Sequence, residues 1–549
     1  YHNLRYDETN EDDEKNKEKR KKNKEKKKAL KNLKKIVEYS DNLRLILLTA
    51  TPMFNYSNEI FNLLNLLLLN DNRPKIEYKN YIENGNNING SGIEVLSKKF
   101  RGYVSYLRGE NPINFPIRIY PTEYKDPLAL LPTDAPKKDL FNKPIKEGLK
   151  FLNTYNNILK GDQKKAYESM LSDLDKDKKI GIQDSNLTQI CNIYYDKKNP
   201  YGEKGFNSIF NSFKGGFKYK KDMKPILSHK LLDNYSIKIK NIIDNVLDSK
   251  GIIFIYSEYI WAGAVPMGIA LEHIGFNKYG NNNLLNYDDK GENEGNYIIL
   301  SGDSKISNNN DEEIRVLTSD DNKDGELIKV VIGSSITGEG MDFKNIRQIH
   351  ILDPWWHLSK LEQIIGRGIR YCSHIGLPEA QRNVTVFLHT ATCNNNETID
   401  HYNYRRGESK SFEIGKVETI LKQNAFDCYL FKEGNIIKNI KNLLKIDVDV
   451  SNNKVSVFKK NIDDKPYSKV CSYQPSCDYS CDNININKLD NLQETDANII
   501  TYDDLKIGMD VSFTTKGEII IGKISKLESN GKKIFVKNKE KHITRAKKQ

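Results

Sequence analysis

The residues best suited to chemistry lie in residues 361–370, LEQIIGRGIR. On a helix, Gln363, Arg367 and Arg370 fall at i, i+4 and i+7, which would set an amide and two guanidiniums on one face. Such a face suits phosphate oxygens, because arginine offers a planar fork of donors that stays charged. Gly366 and Gly368 cost helix propensity, so a close backbone approach is expected there. The arginines alone would fit a solvated surface helix. The glutamine, the glycines and the strand-to-helix context favour an anion receptor.

A second cluster is Cys471, Cys477 and Cys481, spaced C-x5-C-x3-C. Structural zinc takes four thiolate or imidazole ligands, and no local fourth is present. Cys428 or a distant histidine could complete a zinc site; simple reduced thiols are the other reading. Cys191, Cys372 and Cys393 show no catalytic partner pattern and read as buried structural thiols. Trp355 and Trp356 follow a strand end. Adjacent aromatics are expected to point apart, one into the core and one at a cleft, with base stacking as the alternative.

Around these residues the pattern is that of an α/β protein. Apolar runs at 251–256, 297–300, 328–332, 346–352 and 384–388 alternate with helical stretches such as 237–247, which predicts a mainly parallel sheet. Residues 43–48 read as a buried parallel strand and 60–69 as a helix packed on it. Residues 11–35 are almost wholly charged and rich in lysine. They read as a solvated, partly helical arm or as a nucleic-acid contact, since clustered lysine neutralises phosphates. Residues 126–144 look linker-like and 163–179 like an exposed helix. The domains expected are 1–125, with the charged arm at 11–35; an insertion or linker region at 126–225, mainly helical; 226–430; a C-terminal extension at 431–502 holding the cysteines; and a small SH3-like β-barrel at 503–549. The barrel fits either RNA or DNA contact or partner docking.

The 549 residues suffice for three or four domains at roughly 150 residues each. Lysine and arginine number 86 against 74 aspartate and glutamate, a net charge of +12 that favours polyanionic partners. No stretch reaches the ~18–20 apolar residues of a membrane span, and residues 1–28 are too polar for a signal peptide. Seven cysteines are too few for a disulfide framework and suit a reducing compartment. The expectation is a soluble, intracellular, multidomain protein with a basic bias and no membrane partner.

Residues 363–370 match the QxxGRxxR motif VI of superfamily 2 helicases and translocases. Residues 334–342, SSITGEGMD, resemble motif V; 251–257, GIIFIYS, resemble motif IV; 48–52, LTATP, are similar to motif III. Residues 101–112 (RGYVSYLRGENP), 115–121 (FPIRIYP) and 353–357 (DPWWH) resemble the poxvirus-type viral helicases, a group that includes nucleoside triphosphate phosphohydrolase I and the small subunit of the early transcription factor. The resemblance implies two RecA-like domains, one partial and one complete in this chain, with ATP and Mg²⁺ as cofactors and DNA or RNA as partner. It also implies a viral RNA polymerase or transcription factor subunit as partner, in the virion and the viral factories of the host cytoplasm.

By the same resemblance Arg367 and Arg370 act as arginine fingers on a γ-phosphate, and Asp342 lies near the ribose or the arginines. Gly338 and Gly340 belong to the nucleotide-binding stretch. Thr337 and Gly338 touch the nucleic-acid backbone, with Ser257, Ser301 and Gly302 beside them. Thr49, Ala50 and Thr51 couple the two functions. The departure is equally plain: no GxxxxGK[ST] phosphate loop is present. Residues 517–523 come nearest, but Ile524 replaces the Mg²⁺-binding hydroxyl in a hairpin context. Tyr1 and His2 read as the end of a DExH box whose Asp and Glu precede residue 1. His2, Thr49, Thr51 and Gln363 are then expected to gather at one cleft, and the chain alone to be inactive as an ATPase. The alternative is a non-enzymatic virion or transcription-complex scaffold that binds nucleic acid.

Overall fold

A computed structural model describes residues 17–547 apart from 41, 84–85, 175–183, 214, 281–282, 287–293, 304, 308–309, 339–340, 438–444, 453–456, 482–505, 516–517, 528–532 and 539–542. The chain divides into two units. One comprises Tyr1–Tyr106, Lys416–Lys432 and Tyr479–Gln549; the other, Leu107–Gly415 and Glu433–Asp478.

The second unit is built on a ten-stranded sheet. In chain order its strands are β1 (Ile117–Ile119), β2 (Ala129–Leu130), β3 (Thr154–Ile158), β4 (Ile252–Tyr256), β5 (Phe276–Lys278), β6 (Gly295–Leu300), β7 (Val330–Gly333), β8 (Ile346–Ile351), β9 (Asn383–Cys393) and β10 (Asn396–Glu397). They lie in the order β2-β3-β9-β8-β4-β7-β6-β5, with β1 and β10 also paired to β9. Only β2 and β10 are antiparallel to their neighbours. Register follows from pairs such as Val331 beside Phe254 and Ile349 beside Phe254.

Both faces of this sheet are covered, which is why its central strands read as unbroken apolar runs. Ile253, Ile255, Val330, Ile332, Tyr297 and Ile299 face one way, onto helices Ile237–Leu247 and Val265–His273. Ile252, Phe254, Val331, Ile298 and Leu300 face the other, onto helices Asn310–Leu317 and Leu358–Gly368.

The expected insertion at 126–225 is not separate from this sheet, because β2 and β3 lie within it. The motif was hidden by asparagine: Asn157 is fully buried in β3, where its amide donates to the Tyr155 and Thr390 carbonyls and accepts from Asn241. The helix expected at 163–179 runs Gly161–Ser172, with Gln163 and Tyr167 buried rather than exposed.

In the first unit, helix Lys17–Tyr39 packs Leu33 and Val37 against Leu66 and Leu69 of helix Ile60–Asn70. The run at 43–48 is not a strand. Leu43 and Leu45 lie on those helices, while Ile46 and Leu48 are 81% and 85% exposed. A parallel strand needs neighbours to take its amides and carbonyls, and the described residues offer none beside it. The terminal segment forms an antiparallel sheet of Asp510–Thr515, Glu518–Leu527, Lys533–Asn538 and Ile543–Lys547. Among the described residues its outer strands do not pair with each other, so no closed barrel is formed.

The cysteine expectation is corrected. Cys428 is bonded to Cys481 and Cys471 to Cys477, with Cα atoms 5.8 and 4.4 Å apart, within disulfide reach. These four are therefore neither reduced thiols nor thiolate ligands for zinc in this structure. Cys191 and Cys393 are buried as expected, but Cys372 is half-exposed.

Candidate functional site

The arginine segment starts as an amphipathic helix. His357 caps Leu358–Gly368, its side chain accepting from the Lys360 amide. Leu358, Leu361, Ile364 and Ile365 turn into the sheet. A Cβ added to Gly368 would lie 3.0 Å from Ile349 Cδ1 and 3.2 Å from Ile346 Cβ, so this glycine does mark a close approach, to β8. Gly366 differs: an added Cβ would meet nothing within 4 Å. Arg370 is not on the helical face expected. The helix ends at Gly368 and Ile369 is extended, so the chain has turned away before Arg370.

Asp342 nevertheless brings the arginines together. Its Oδ1 lies 2.6 Å from Arg370 Nη2 and 3.8 Å from Arg367 Nη1. Arg367 also donates to the Met341 carbonyl, and its own carbonyl accepts from the Phe343 amide. Arg370 Nε is buried with no partner among the described residues, and the half-exposed Gln363 amide likewise has none there. An exposed carboxylate thus holds two guanidiniums that a phosphate oxygen could equally occupy, beside spare donors. This set fits the terminal phosphate of a nucleotide. Its guanidiniums are cations without a lone pair to offer, so they do not coordinate Mg²⁺.

Sequence reasoning missed the residue that fixes this helix. Glu362, next to Gln363, points inward and takes both Arg118 Nη atoms at 2.9 and 2.8 Å, with the Tyr473 hydroxyl at 3.0 Å. Burial would raise this carboxyl, but the Arg118 guanidinium outweighs it and holds it down at about 2. Arg118 is the fourth letter of the 115–121 stretch; its pairing needs the tertiary fold, and only its place in a family-like segment hinted at it.

Most residues assigned to nucleic acid are turned inward. Ser257 is buried, its hydroxyl donating to Asp353 Oδ2 at 2.7 Å, and the Glu258 amide donates to the same oxygen. A Cβ on Gly263 would fall 1.8 Å from Ser257 Oγ, so only glycine allows this packing. Ser301 is buried and exchanges hydrogen bonds with the Asp303 backbone. Thr337 is buried, its hydroxyl donating to the Ser334 carbonyl. Gly302 alone of the four is exposed. Their side chains shape the loops; any contact would come from backbone. Asp353, unassigned from sequence, is pushed up to about 6 by burial.

Trp355 and Trp356 do not point apart. They stack with centroids 4.0 Å apart, both half-buried, and Lys360 Nζ lies 3.6 Å over Trp355. Gly338 closes the turn Ser335–Gly338, while Gly340 and His2 lie outside the described residues. Thr49, Ala50 and Thr51 belong to the first unit and Gln363 to the second. Within the first unit the Thr51 amide donates to Thr49 Oγ1, and the Glu59 carboxylate gathers the amides of Phe54, Asn55 and Tyr56.

Residues 287–372 match the family described as helicase conserved C-terminal domain. A protein of Acanthamoeba polyphaga mimivirus, designated an ATP-dependent RNA helicase, is 26% identical over 82% of this chain and 42% of its own length. A helicase of Invertebrate iridescent virus 3 is 27% identical over 72% of this chain and 37% of its own. The termination factor NPH-I homolog of African swine fever virus (isolate Tick/Malawi/Lil 20-1/1983) is 25% identical over 70% and 58% respectively. The C-terminal part of the Fun30 ATPase domain aligns with 49% of this chain and 97% of its own at 14% identity and a TM-score of 0.27, too slight a likeness to argue from. Residues 287–372 thus match a helicase C-terminal domain, and the chain as a whole is similar to helicases of large DNA viruses. It spans about 37–63% of the length of the curated relatives it matches. Among the described residues no helix is long and apolar enough to cross a membrane.

Proposed function

We infer that this chain supplies the arginine half of a DExH-type, nucleic-acid-dependent ATPase that translocates on or opens DNA or RNA. The observation that carries this reading is the convergence of Arg367 and Arg370 on Asp342, with Gln363 and Arg370 Nε left as spare donors. In the reaction the two guanidiniums offset charge developing on the transferred phosphoryl group, and the amide of Gln363 positions a neighbour of that group. ATP brings the phosphates, and Mg²⁺ its charge, with their main ligands outside the described residues. Thr49, Ala50 and Thr51 serve as the coupling turn, and His2 as the last letter of the DExH box. The exposed apolar side chains of Ile46 and Leu48 support the presence of further sheet beside them in the complete protein. The relatives support a role in viral transcription, alongside a viral RNA polymerase or transcription factor subunit.

The test is turnover. No GxxxxGK[ST] occurs in these 549 residues, so the chain alone is expected not to hydrolyse ATP. Together with a segment or partner that carries the phosphate loop, it is expected to hydrolyse ATP in response to nucleic acid. Arg367→Gln should then cut turnover about 10³-fold or more while leaving nucleic-acid affinity within a few-fold. Equal losses in both would refute the arginine role. The missing phosphate loop favours one second reading, a scaffold that keeps the helicase shell only to bind; no turnover with any loop-bearing partner would select it.

A further inference from the structure

A cavity of about 360 Å³ opens where β4, β7 and β8 begin, lined by Gly251, Lys329 and Arg347 among others. These strands are parallel, so it lies at the edge away from Ser257, Ser334 and Asp353. None of Asp342, Gln363, Arg367 and Arg370 lines it. Its floor holds Arg347, only 5% exposed. Arg347 Nη2 donates to the Asp449 carbonyl, but its Nε is buried with no partner, and no carboxylate among the described residues forms an ion pair with it. Burial pushes Arg347 down to about 10 against the opposing charges of Asp449 and Asp324, which line the same cavity without ion-pair contact, so an anion in direct contact stabilises the guanidinium further.

The lining specifies which anion. Lys250 and Lys323, both exposed, add cations at the mouth, so an oxyanion can be drawn in and passed to Arg347. Asp324 and Glu326, also exposed there, disfavour a bare polyanion and accept hydrogen bonds from hydroxyl or amino groups. The volume suits a small organic molecule. We propose that this cavity binds a phosphate monoester of mononucleotide size, its phosphate on Arg347, Lys250 and Lys323 and its hydroxyls on Asp324 and Glu326. One wall is the segment around Ser451, whose carbonyl accepts from the Lys250 amide and from Gln348 Nε2, both at 3.2 Å. A ligand seated here therefore also fastens that C-terminal segment to the sheet. The site is separate from the arginine helix and does not depend on the ATPase reading.

The experiment is titration calorimetry of the full chain with AMP, adenosine and inorganic phosphate, on the wild type, Arg347→Gln, Lys250→Glu and Arg367→Gln. AMP is expected to bind the wild type and to bind R347Q and K250E about tenfold or more weakly. Because K250E alters an exposed residue, it keeps the test sound if R347Q fails to fold. Adenosine or inorganic phosphate binding as tightly as AMP overturns the monoester assignment. So does no AMP binding at about 5 mM, or a loss caused by R367Q in place of R347Q and K250E. Failure of ATP turnover in the complete enzyme would leave this result untouched.

Discussion

Asp342 Oδ1 lies 2.6 Å from Arg370 Nη2, although Arg370 stands beyond the end of the helix that carries Arg367. The carboxylate comes from the loop before β8, so the loop and the helix end are joined through charge. With Asp342 66% and Arg370 42% exposed, the pair adds at most about 1 kcal/mol to stability. Its interest lies in what it holds ready.

Asp342→Asn should therefore change Tm little. It should raise the affinity of the arginine pair for a phosphate analogue, because the competing carboxylate is gone. Calorimetry with inorganic pyrophosphate reads this, and unchanged affinity would show that Asp342 does not compete for the guanidiniums.

Glu362→Gln should destabilise the fold by about 3–5 kcal/mol, since Arg118 is left as a buried cation without its carboxylate. The pH dependence follows from the folded carboxyl at about 2 against an ordinary 4.5. Between those values the unfolded chain takes up a proton that the folded chain refuses, so this stabilisation is present above pH 4.5 and fades toward pH 2. Urea unfolding of wild type and variant across that range should converge at the acid end.

Two histidines predict a second loss, at milder acidity. His350 and His389 are buried side by side, His350 Nδ1 3.0 Å from His389 Nε2, in a chain that runs from Asn157 to Gln348. Burial lowers His350 to about 3 and His389 well below its ordinary value. Below the ordinary 6.5 the unfolded state gains protons first, so stability falls with pH. At pH 5.5 the loss is about 1.4 kcal/mol for each histidine kept neutral. A His350→Gln variant should show a shallower fall between pH 7.5 and 5.5; an identical slope would discount that histidine.

Gly366→Ala should gain about 0.5–1 kcal/mol of stability, because the position is helical and open. In the complete enzyme the same methyl should lower turnover, since the open space beside Gln363 and Arg367 is where phosphate must approach. Greater stability with full turnover would show that nothing comes near.

Ser257→Ala should cost about 1–3 kcal/mol, by removing a donor from the buried Asp353 carboxylate. Nucleic-acid affinity, read by fluorescence anisotropy at fixed salt, should not change. A selective loss of binding would return Ser257 to the interface.

Sequence alone determined the parallel α/β core and the identity of the arginine segment. Central strands covered on both faces must be apolar throughout, and that signal is written in consecutive residues such as Ile252 to Tyr256. It missed β3 because Asn157 makes a polar strand buriable only through hydrogen bonds to the Thr390 carbonyl and from Asn241, far away in the chain. Residues 43–48 carry the apolar run of a strand but stay unpaired, because among the described residues no neighbouring strand accepts them. Tertiary structure alone decided which side chains reach the site. Helical spacing placed Arg370 on a face that the helix ends too soon to provide, whereas Asp342 brings it back by charge. Ser257, Ser301 and Thr337 lie just past the ends of strands yet point inward, because a backbone trace fixes where a loop lies and packing fixes where its side chains turn. Glu362 and Arg347 were illegible for the same reason: a charged residue on a helix or strand reads as solvent-facing until the fold shows what covers it.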